Sequence, residues 1–168
     1  MLDPRPSHWP AVLRWIEEIL SVLERLVFIS PLLQRYVIQR HEKAFRKLLN
    51  GIAPQRIAVV GGGLFPRSLI ILKKLFPQAH LIAIEANQHH IQIAKSFVHA
   101  DFTHQWFDPS HCDVDLLVIP LAYFGDRNRL YLNPPAETVL IHDWLWRKRG
   151  QSAIVSLLLL KRLNLITR

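Results

Sequence analysis

Residues 61–68 read GGGLFPRS, and this short stretch between two apolar runs decides the fold. The run before it, residues 57–60, is mostly β-branched, which is typical of a strand buried on both faces. Residues 68–76 have the apolar spacing of a helix, and residues 81–84 form a second buried run that ends at Glu85. The pattern therefore predicts a strand, a glycine loop, a helix and a second strand closed by a carboxylate.

This layout is suited to a nucleoside ligand. Glycines let the backbone approach a ligand closely, and an acid at the end of the next strand can accept hydrogen bonds from ribose hydroxyls. Dinucleotide-binding loops carry glycines at the first, third and sixth positions. Gly61 and Gly63 match, but the sixth position is Pro66, which disfavours NAD because proline cannot replace a glycine there. A tight turn that binds nothing is the structural alternative.

The pattern Gly-x-Gly-x-x-Pro-x-Ser over residues 61–68, followed by Glu85, resembles motif I of the class I S-adenosylmethionine-dependent methyltransferases. The variant is similar to that of the nicotianamine synthase branch. The resemblance covers residues 56–97 and is looser over residues 98–146. It implies S-adenosyl-L-methionine as the cofactor and methyl transfer to a small molecule. Transfer of the aminocarboxypropyl arm, or a non-catalytic binding or scaffold role, are the alternatives.

The resemblance also implies which residues contact the cofactor. Ligands of open α/β sheets bind off the carboxyl ends of the strands, so the strand ends should share one crevice. The position of Asp108 matches an acid that accepts from the adenine amino group, with Phe107 flanking the ring. The expected cofactor contacts are Gly61, Gly62, Gly63, Leu64, Phe65, Ser68, Glu85, Ala86, Asn87, Phe107, Asp108, Pro120 and Leu121.

Three residues are candidates for catalysis. Methyl transfer from a sulfonium depends mainly on positioning, and a base is needed only when the nucleophile arrives protonated. Tyr123, His142 and Asp143 follow predicted strands and could supply that base, although each also has a structural interpretation. The histidines and the single cysteine form no ligand pattern of the zinc type, so we predict no metal site.

The order of the elements predicts an α/β fold with a Rossmann-like parallel sheet of about five strands. We interpret residues 151–163 as a helix, so that the C-terminal strands of the full methyltransferase fold would be missing. The predicted strands are residues 57–60, 81–84, 101–107, 114–119 and 138–141.

Two amphipathic helices are predicted before the sheet, at residues 9–29 and 32–50, with Gly51 as a C-terminal cap. We therefore divide the chain into a helical extension, residues 1–51, and a Rossmann-like domain that binds S-adenosylmethionine, residues 52–168. The extension could cover the cleft, pack on the sheet or form the contact of a homodimer.

Composition and charge limit the kinds of partner and the cellular location that we expect for the protein. The net charge of +8 suits an anionic small-molecule substrate or a basic surface. Residues 147–149 read RKR beside Trp144 and Trp146, but without an RNA-binding motif we do not expect nucleic acid as the partner. One cysteine, Cys112, excludes an internal disulfide. With no signal-like start and no run long enough to span a bilayer, we expect a cytoplasmic protein without a transmembrane segment.

Overall fold

A computed structural model describes most of the chain, namely Val22 and residues 29–110, 112–123, 125–157 and 159–168. The helix predicted at residues 9–29 lies outside the described residues except for its two members Val22 and Ile29.

One sheet of seven strands forms the centre of the fold, and these strands are β1 Arg56–Val60, β2 His80–Glu85, β3 Asp101–His104, β4 Leu116–Ile119, β5 Thr138–Trp144, β6 Gln151–Ser156 and β7 Lys161–Thr167. Their order across the sheet is β3-β2-β1-β4-β5-β7-β6. The pairs from β3 to β5 are parallel, and β7 lies antiparallel between β5 and β6. The prediction of an α/β, Rossmann-like, mainly parallel sheet is confirmed.

The prediction of about five strands, with the C-terminal strands missing, was wrong. Residues 151–163, which we expected to be a helix, contain β6, a turn and the start of β7. Ala153 and Val155 are buried whereas Ile154 between them is half exposed, which is the period-2 pattern of a strand. The turn contains no glycine or proline, so the boundary between the two strands could not be recognised within the apolar run of the sequence.

Four helices are described in full: α1 Pro31–Leu48, α2 Arg67–Leu75, α3 Gln88–Ala94 and α4 Arg127–Leu132. Ser30 caps α1 by accepting a hydrogen bond from Leu33 N, and Asp126 caps α4 through Asn128 N and Arg129 N. Within the described part of the chain, no helix combines the length and the apolar composition that crossing a bilayer requires.

The sheet separates two apolar layers. On one face, Phe45 of α1 and Leu72 of α2 belong to the same buried cluster as Ile57 and Leu163. On the other face, Leu130 of α4 packs with buried residues of β4 and β5. Because α1 shares its core with the last strand, the helix and the sheet stabilise each other. The division of the chain at residues 51 and 52 stays a prediction.

Candidate functional site

The glycine loop lies where β1 ends and α2 begins. Gly61 and Gly63 have φ angles of +71° and +59°, a left-handed backbone that glycine adopts without strain. Gly61 N donates to Ile84 O at 2.8 Å, which holds the loop beside the end of β2. A Cβ atom on Gly63 would meet nothing within 4 Å, so the backbone of this residue borders open space. The loop therefore offers room for a ligand against bare backbone.

Glu85 extends from the end of β2 to this loop. Its Oε2 accepts hydrogen bonds from Gly62 N at 2.7 Å and from Gly63 N at 3.2 Å. Its Oε1 accepts from Asn87 N at 2.9 Å and lies 3.7 Å from Nδ1 of His90. The residue is only 7% exposed. The acid and the loop thus lie together, as their spacing in the sequence indicated. The hydrogen bonds that join them directly were not predicted from the sequence.

These bonds set a condition on ligand binding. A carboxylate offers about four acceptor positions, and three of those on Glu85 are taken by backbone N–H groups. A ribose diol would need two acceptors, so it must share the remaining position or displace a bond to the loop. The loop and Glu85 are therefore expected to rearrange together when a nucleoside binds.

The residues that flank Glu85 and the loop have structural contacts of their own. Asn87 caps α3, because its Oδ1 accepts from His89 N at 2.9 Å. Ala86 O accepts from Nε2 of His104 at 3.0 Å, which ties the end of β2 to the end of β3. Phe65 is buried and packs edge-on against Phe97, with ring centroids 5.5 Å apart. Leu64 beside it is half buried.

Phe107 and Asp108 follow β3, which ends at His104 rather than at residue 107 as predicted. Phe107 is half buried and packs edge-on against Tyr123, with ring centroids 6.1 Å apart. Asp108 is exposed, and its Oδ1 accepts from both N and Oγ of Ser110, at 2.9 Å and 2.6 Å. The strand ends early because residues 105–110 form an irregular connection instead of pairing with β2.

Arg127, which was not among the predicted site residues, joins the ends of β4 and β5. Its Nη2 donates to the carbonyl oxygens of Pro120, at 2.8 Å, and Leu121, while its Nη1 donates to His142 O at 3.0 Å. Pro120 also abuts the glycine loop, since its Cγ would lie 3.5 Å from a Cβ atom on Gly61. Nothing in the polar stretch around Arg127 distinguishes it from the arginines nearby.

Asp143 is fully buried. Its Oδ2 accepts from the hydroxyl of Tyr131 at 2.7 Å, and its Oδ1 accepts from Trp144 N at 2.8 Å. Asn164 Nδ2 donates to the same tyrosine oxygen at 2.8 Å. This network connects β5, α4 and β7, and it occupies both oxygens of the carboxylate.

His142 projects to the opposite face of β5, beneath α1. Its Nε2 lies 3.4 Å from Oγ of Ser68, the last residue of the motif that begins at Gly61. Its ring lies 5.8 Å from the ring of His41 and 5.9 Å from that of Phe45. His41 was not among the predicted site residues, although it stands four residues after Val37 on the buried stripe of α1. The structure therefore brings His142 to the loop and separates it from Asp143 and Tyr123.

Burial and nearby positive charges keep the side chains of His142 and His41 uncharged. Burial lowers the pKa of His142 well below its usual value, and the charges of Arg67, Lys161 and Arg127 lower it further. Burial also lowers the pKa of His41, to about 3. Both imidazoles are therefore uncharged at neutral pH and resist protonation. Burial raises the pKa of Tyr123, so its phenol stays protonated and can donate a hydrogen bond.

A cavity of about 460 Å³ lies apart from the glycine loop. It is lined by Ser110, Cys112, Tyr123 and the two arginines Arg129 and Arg168, among others. Of the predicted site residues only Tyr123 borders it, so it is separate from the crevice at the glycine loop. The described residues contain no group of three or more His, Cys, Asp or Glu side chains that could hold a metal ion.

Comparison with known proteins identifies the fold. No protein-family model and no curated protein matches the sequence. The crystal structure of the plantazolicin methyltransferase BpumL, in complex with a monoazolic desmethylPZN analogue and SAH, is 19% identical with a TM-score of 0.50 and is matched over 80% of this chain. A mutant of MtNAS in complex with S-adenosylmethionine is 13% identical with a TM-score of 0.59 and is matched over 93% of this chain.

The chain covers only part of each of these two structures. The chain spans 63% of the length of the BpumL structure and 71% of the length of the MtNAS structure. Both likenesses are distant in sequence, and they show that the chain has the fold of the class I S-adenosylmethionine-dependent methyltransferases.

Proposed function

We propose that this chain binds S-adenosyl-L-methionine beside residues 61–63 and transfers its methyl group to a small molecule. The observation that carries the proposal is the contact between the Glu85 carboxylate and the N–H groups of Gly62 and Gly63. A sugar held by this acid would lie against a loop without side chains to exclude it. The MtNAS structure, which has the same fold and contains S-adenosylmethionine, supports the same ligand.

The residues present fit this cofactor. The open space beside Gly63 leaves room for it, and Glu85 offers the acceptor that a ribose requires. We assign Leu64, Phe65, Ala86 and Asn87, which flank the loop and Glu85 in the chain, to the two ends of the crevice. We assign Pro120, which lies against Gly61, and Leu121 to its β4 side, and Phe107 and Asp108 to its adenine end. When bound, the cofactor supplies a methyl group that a sulfonium makes electrophilic. The chain supplies position, which is the main requirement of such a displacement.

We assign the acceptor side to His142 and Ser68. A neutral imidazole can accept a hydrogen bond from an acceptor nucleophile and so hold it in position, and the hydroxyl of Ser68 lies 3.4 Å from its Nε2. The positive charges of Arg67, Lys161 and Arg127 act on this imidazole, so an acceptor with negative charge fits best. Tyr123 packs against Phe107, and its hydroxyl is proposed to orient a ligand at that end by donating a hydrogen bond.

Asp143 is proposed to support the site rather than to act as its base. Both of its oxygens already accept hydrogen bonds within the protein, and the side chain has no exposed surface. A general base must lie within hydrogen-bond reach of the proton that it removes. Its role is therefore to hold Tyr131 and the end of β5 in place.

Aminocarboxypropyl transfer of the nicotianamine synthase kind is the second candidate. MtNAS is a nicotianamine synthase, and the match to it has a higher TM-score and a wider coverage of this chain than the match to BpumL. The two reactions leave different products of the same cofactor: methyl transfer leaves S-adenosylhomocysteine, whereas arm transfer leaves methylthioadenosine. Chromatography of reactions with a panel of small anionic acceptors would therefore distinguish them. If neither product forms although S-adenosylmethionine binds, the chain is a non-catalytic binding protein.

Calorimetry tests the cofactor assignment directly. We expect S-adenosylmethionine and S-adenosylhomocysteine to bind at one site per chain, and NAD not to bind because Pro66 replaces the sixth-position glycine. Heat of binding with NAD alone, or with none of the three ligands, would contradict the proposal.

A further inference from the structure

A surface with exposed apolar and cationic side chains begins where β5 ends. Leu145 N donates to Leu160 O at 2.7 Å, which brings the turn between β6 and β7 against the segment after β5. The register of the sheet also pairs Trp144 with Lys161. We call this surface the cationic edge, and it is formed by Trp146, Arg147, Lys148, Arg149, Leu157 and Leu160.

Its apolar members are unusually open to solvent. Trp146 is 62% exposed, Leu157 is 65% exposed and Leu160 is 44% exposed. The ring of Trp146 stacks on that of Trp144 with centroids 5.4 Å apart and the planes 1° from parallel, so the exposed indole is held in one orientation. Single exposed apolar residues are ordinary, but a group of them beside one another marks an interaction surface.

The charges of the edge have one sign. Lys148 and Arg149 are exposed, and Arg147 is half buried, with its Nη2 donating to Asn128 Oδ1 at 2.9 Å. Residues 144–168 contain six lysines and arginines and no aspartate or glutamate. Arg162, the neighbour of Lys161 on β7, is 8% exposed, and its buried Nε has no hydrogen-bond partner among the described residues. The edge is therefore complementary to an anionic partner.

We propose that the cationic edge docks on an anionic lipid bilayer. Tryptophan and leucine side chains enter the boundary between headgroups and acyl chains, while lysine and arginine contact the anionic headgroups. A single-stranded nucleic acid would also use cations and a stacked tryptophan. It would gain little from Leu157 and Leu160, and these exposed aliphatic side chains favour the lipid surface.

Docking in this orientation has a geometric consequence. The first residue of the edge, Trp146, comes two residues after the end of β5 and four after His142, so the end of β5 would face the bilayer. The binding of lipid does not depend on the proposed methyl transfer, and it can be tested without the cofactor. Failure of one proposal therefore leaves the other intact.

The experiment measures cosedimentation of the full chain with vesicles. One set contains phosphatidylcholine alone, and the other is an equimolar mixture of phosphatidylcholine and phosphatidylglycerol. We expect binding only to the anionic vesicles, and weaker binding as salt is raised, because screening shortens the reach of the charges. Binding that is equal on both vesicles, or absent from both, would overturn the proposal.

Charge variants locate the surface. Replacing Lys148→Gln together with Arg149→Gln should weaken binding about 25-fold, since each charge near an anionic bilayer contributes about fivefold. The matched control is Lys43→Gln with Lys47→Gln, which removes two exposed charges from α1. The control pair should lose much less affinity. An equal loss in both pairs would mean non-specific attraction to net charge and would overturn the assignment of this edge.

The apolar contribution is tested by Trp146→Ala with Leu157→Ala. We expect at least about a tenfold loss of vesicle binding, with circular dichroism unchanged because both side chains lie at the surface. Two results would assign the edge to another occupant and overturn the lipid proposal. One is a dimer of the chain that dissociates in this variant without any vesicle binding. The other is binding to single-stranded oligonucleotides but not to anionic vesicles.

Discussion

The two halves of the sheet present their predicted residues in different ways. On the side of β1 to β3, Glu85 bonds directly to Gly62 and Gly63, so residues far apart in sequence meet where their spacing indicated. On the side of β4 to β7, the neighbours His142 and Asp143 project to opposite faces of β5. Alternate strand residues point to opposite faces, so adjacency at a strand end does not bring side chains into one site. The first half therefore brings its predicted residues together, whereas the second half directs His142 and Asp143 to different faces of the sheet.

Removal of Asp143 should give the largest effect on the fold. In the Asp143→Ala variant the hydroxyl of Tyr131 and the N–H of Trp144 lose their acceptors in a buried place. We expect the free energy of unfolding to fall by about 3 kcal/mol, measured by urea denaturation. Tyr131→Phe removes the donor to Asp143 and the acceptor for Asn164 but leaves the bond from Trp144 N, so it should cost less, about 2 kcal/mol. A loss below about 1 kcal/mol in Asp143→Ala would show that the residue is free to act elsewhere.

The buried histidines predict loss of stability in acid. In the folded chain the pKa of His41 is lowered from 6.5 to about 3. At a pH below 6.5 the unfolded chain therefore binds more protons than the folded chain, and the free energy of unfolding falls as the pH falls. For His41 alone the loss is about 2 kcal/mol between roughly pH 6.5 and pH 5, and His142, whose pKa is also lowered, acts in the same direction. Urea denaturation at a series of pH values measures it.

The control for this titration is His41→Gln, which keeps a side-chain donor within reach of Val37 O but cannot take up a proton. Its stability should depend less steeply on pH over the same range. A dependence as steep as that of the original chain would mean that other groups cause the acid effect.

Glu85→Gln tests the binding half. The amide oxygen can still accept from Gly62 N, but the negative charge and an acceptor for the ribose are lost. We expect affinity for S-adenosylhomocysteine to fall by about 1–2 kcal/mol, or roughly fivefold to thirtyfold, in calorimetry. Glu137→Gln, which neutralises an exposed acid before β5, is the matched control and should bind normally. Equal affinities of both variants would remove Glu85 from the site.

The smallest effect concerns the loop glycines. Gly63→Ala places an alanine at a φ of +59°, which should cost about 1 kcal/mol of stability. In Gly62→Ala the added Cβ would lie 3.8 Å from its nearest neighbours, which is ordinary contact, and Gly62 is not among the glycines with positive φ. Thermal melting should therefore show Gly62→Ala within about 0.5 kcal/mol of the original chain. The reverse order of the two variants would contradict the loop geometry.

The elements that sequence predicted well are those whose pattern is local. The buried runs at β1 and β2, the glycines and the closing acid are each visible within a few residues, and their geometry follows from strand and loop rules. The stretch that was predicted wrongly, residues 151–163, contains β6, the start of β7 and a turn between them without glycine or proline. There Leu160 takes a φ of +51°, a conformation that leucine seldom adopts and that no sequence rule indicates.

The part of the site that sequence did not predict comes from contacts across the fold. His41 reaches His142 only because α1 packs against the last strands, and Arg127 reaches three carbonyl oxygens only because β4 and β5 are neighbours. Likewise, the hydrogen bonds of Glu85 to the loop require the strand register that pairs β1 with β2. Such contacts are properties of tertiary packing and leave no periodic signal along the chain.

The most direct test is a crystal structure of the chain grown with S-adenosylhomocysteine. We predict ligand density in the open space beside Gly63, with the ribose hydroxyls within hydrogen-bond distance of Glu85 and at least one of its bonds to the loop exchanged for a bond to the sugar. Density at another place, or a saturated crystal in which Glu85 keeps both bonds to Gly62 and Gly63 and no ligand lies beside them, would contradict the proposed function.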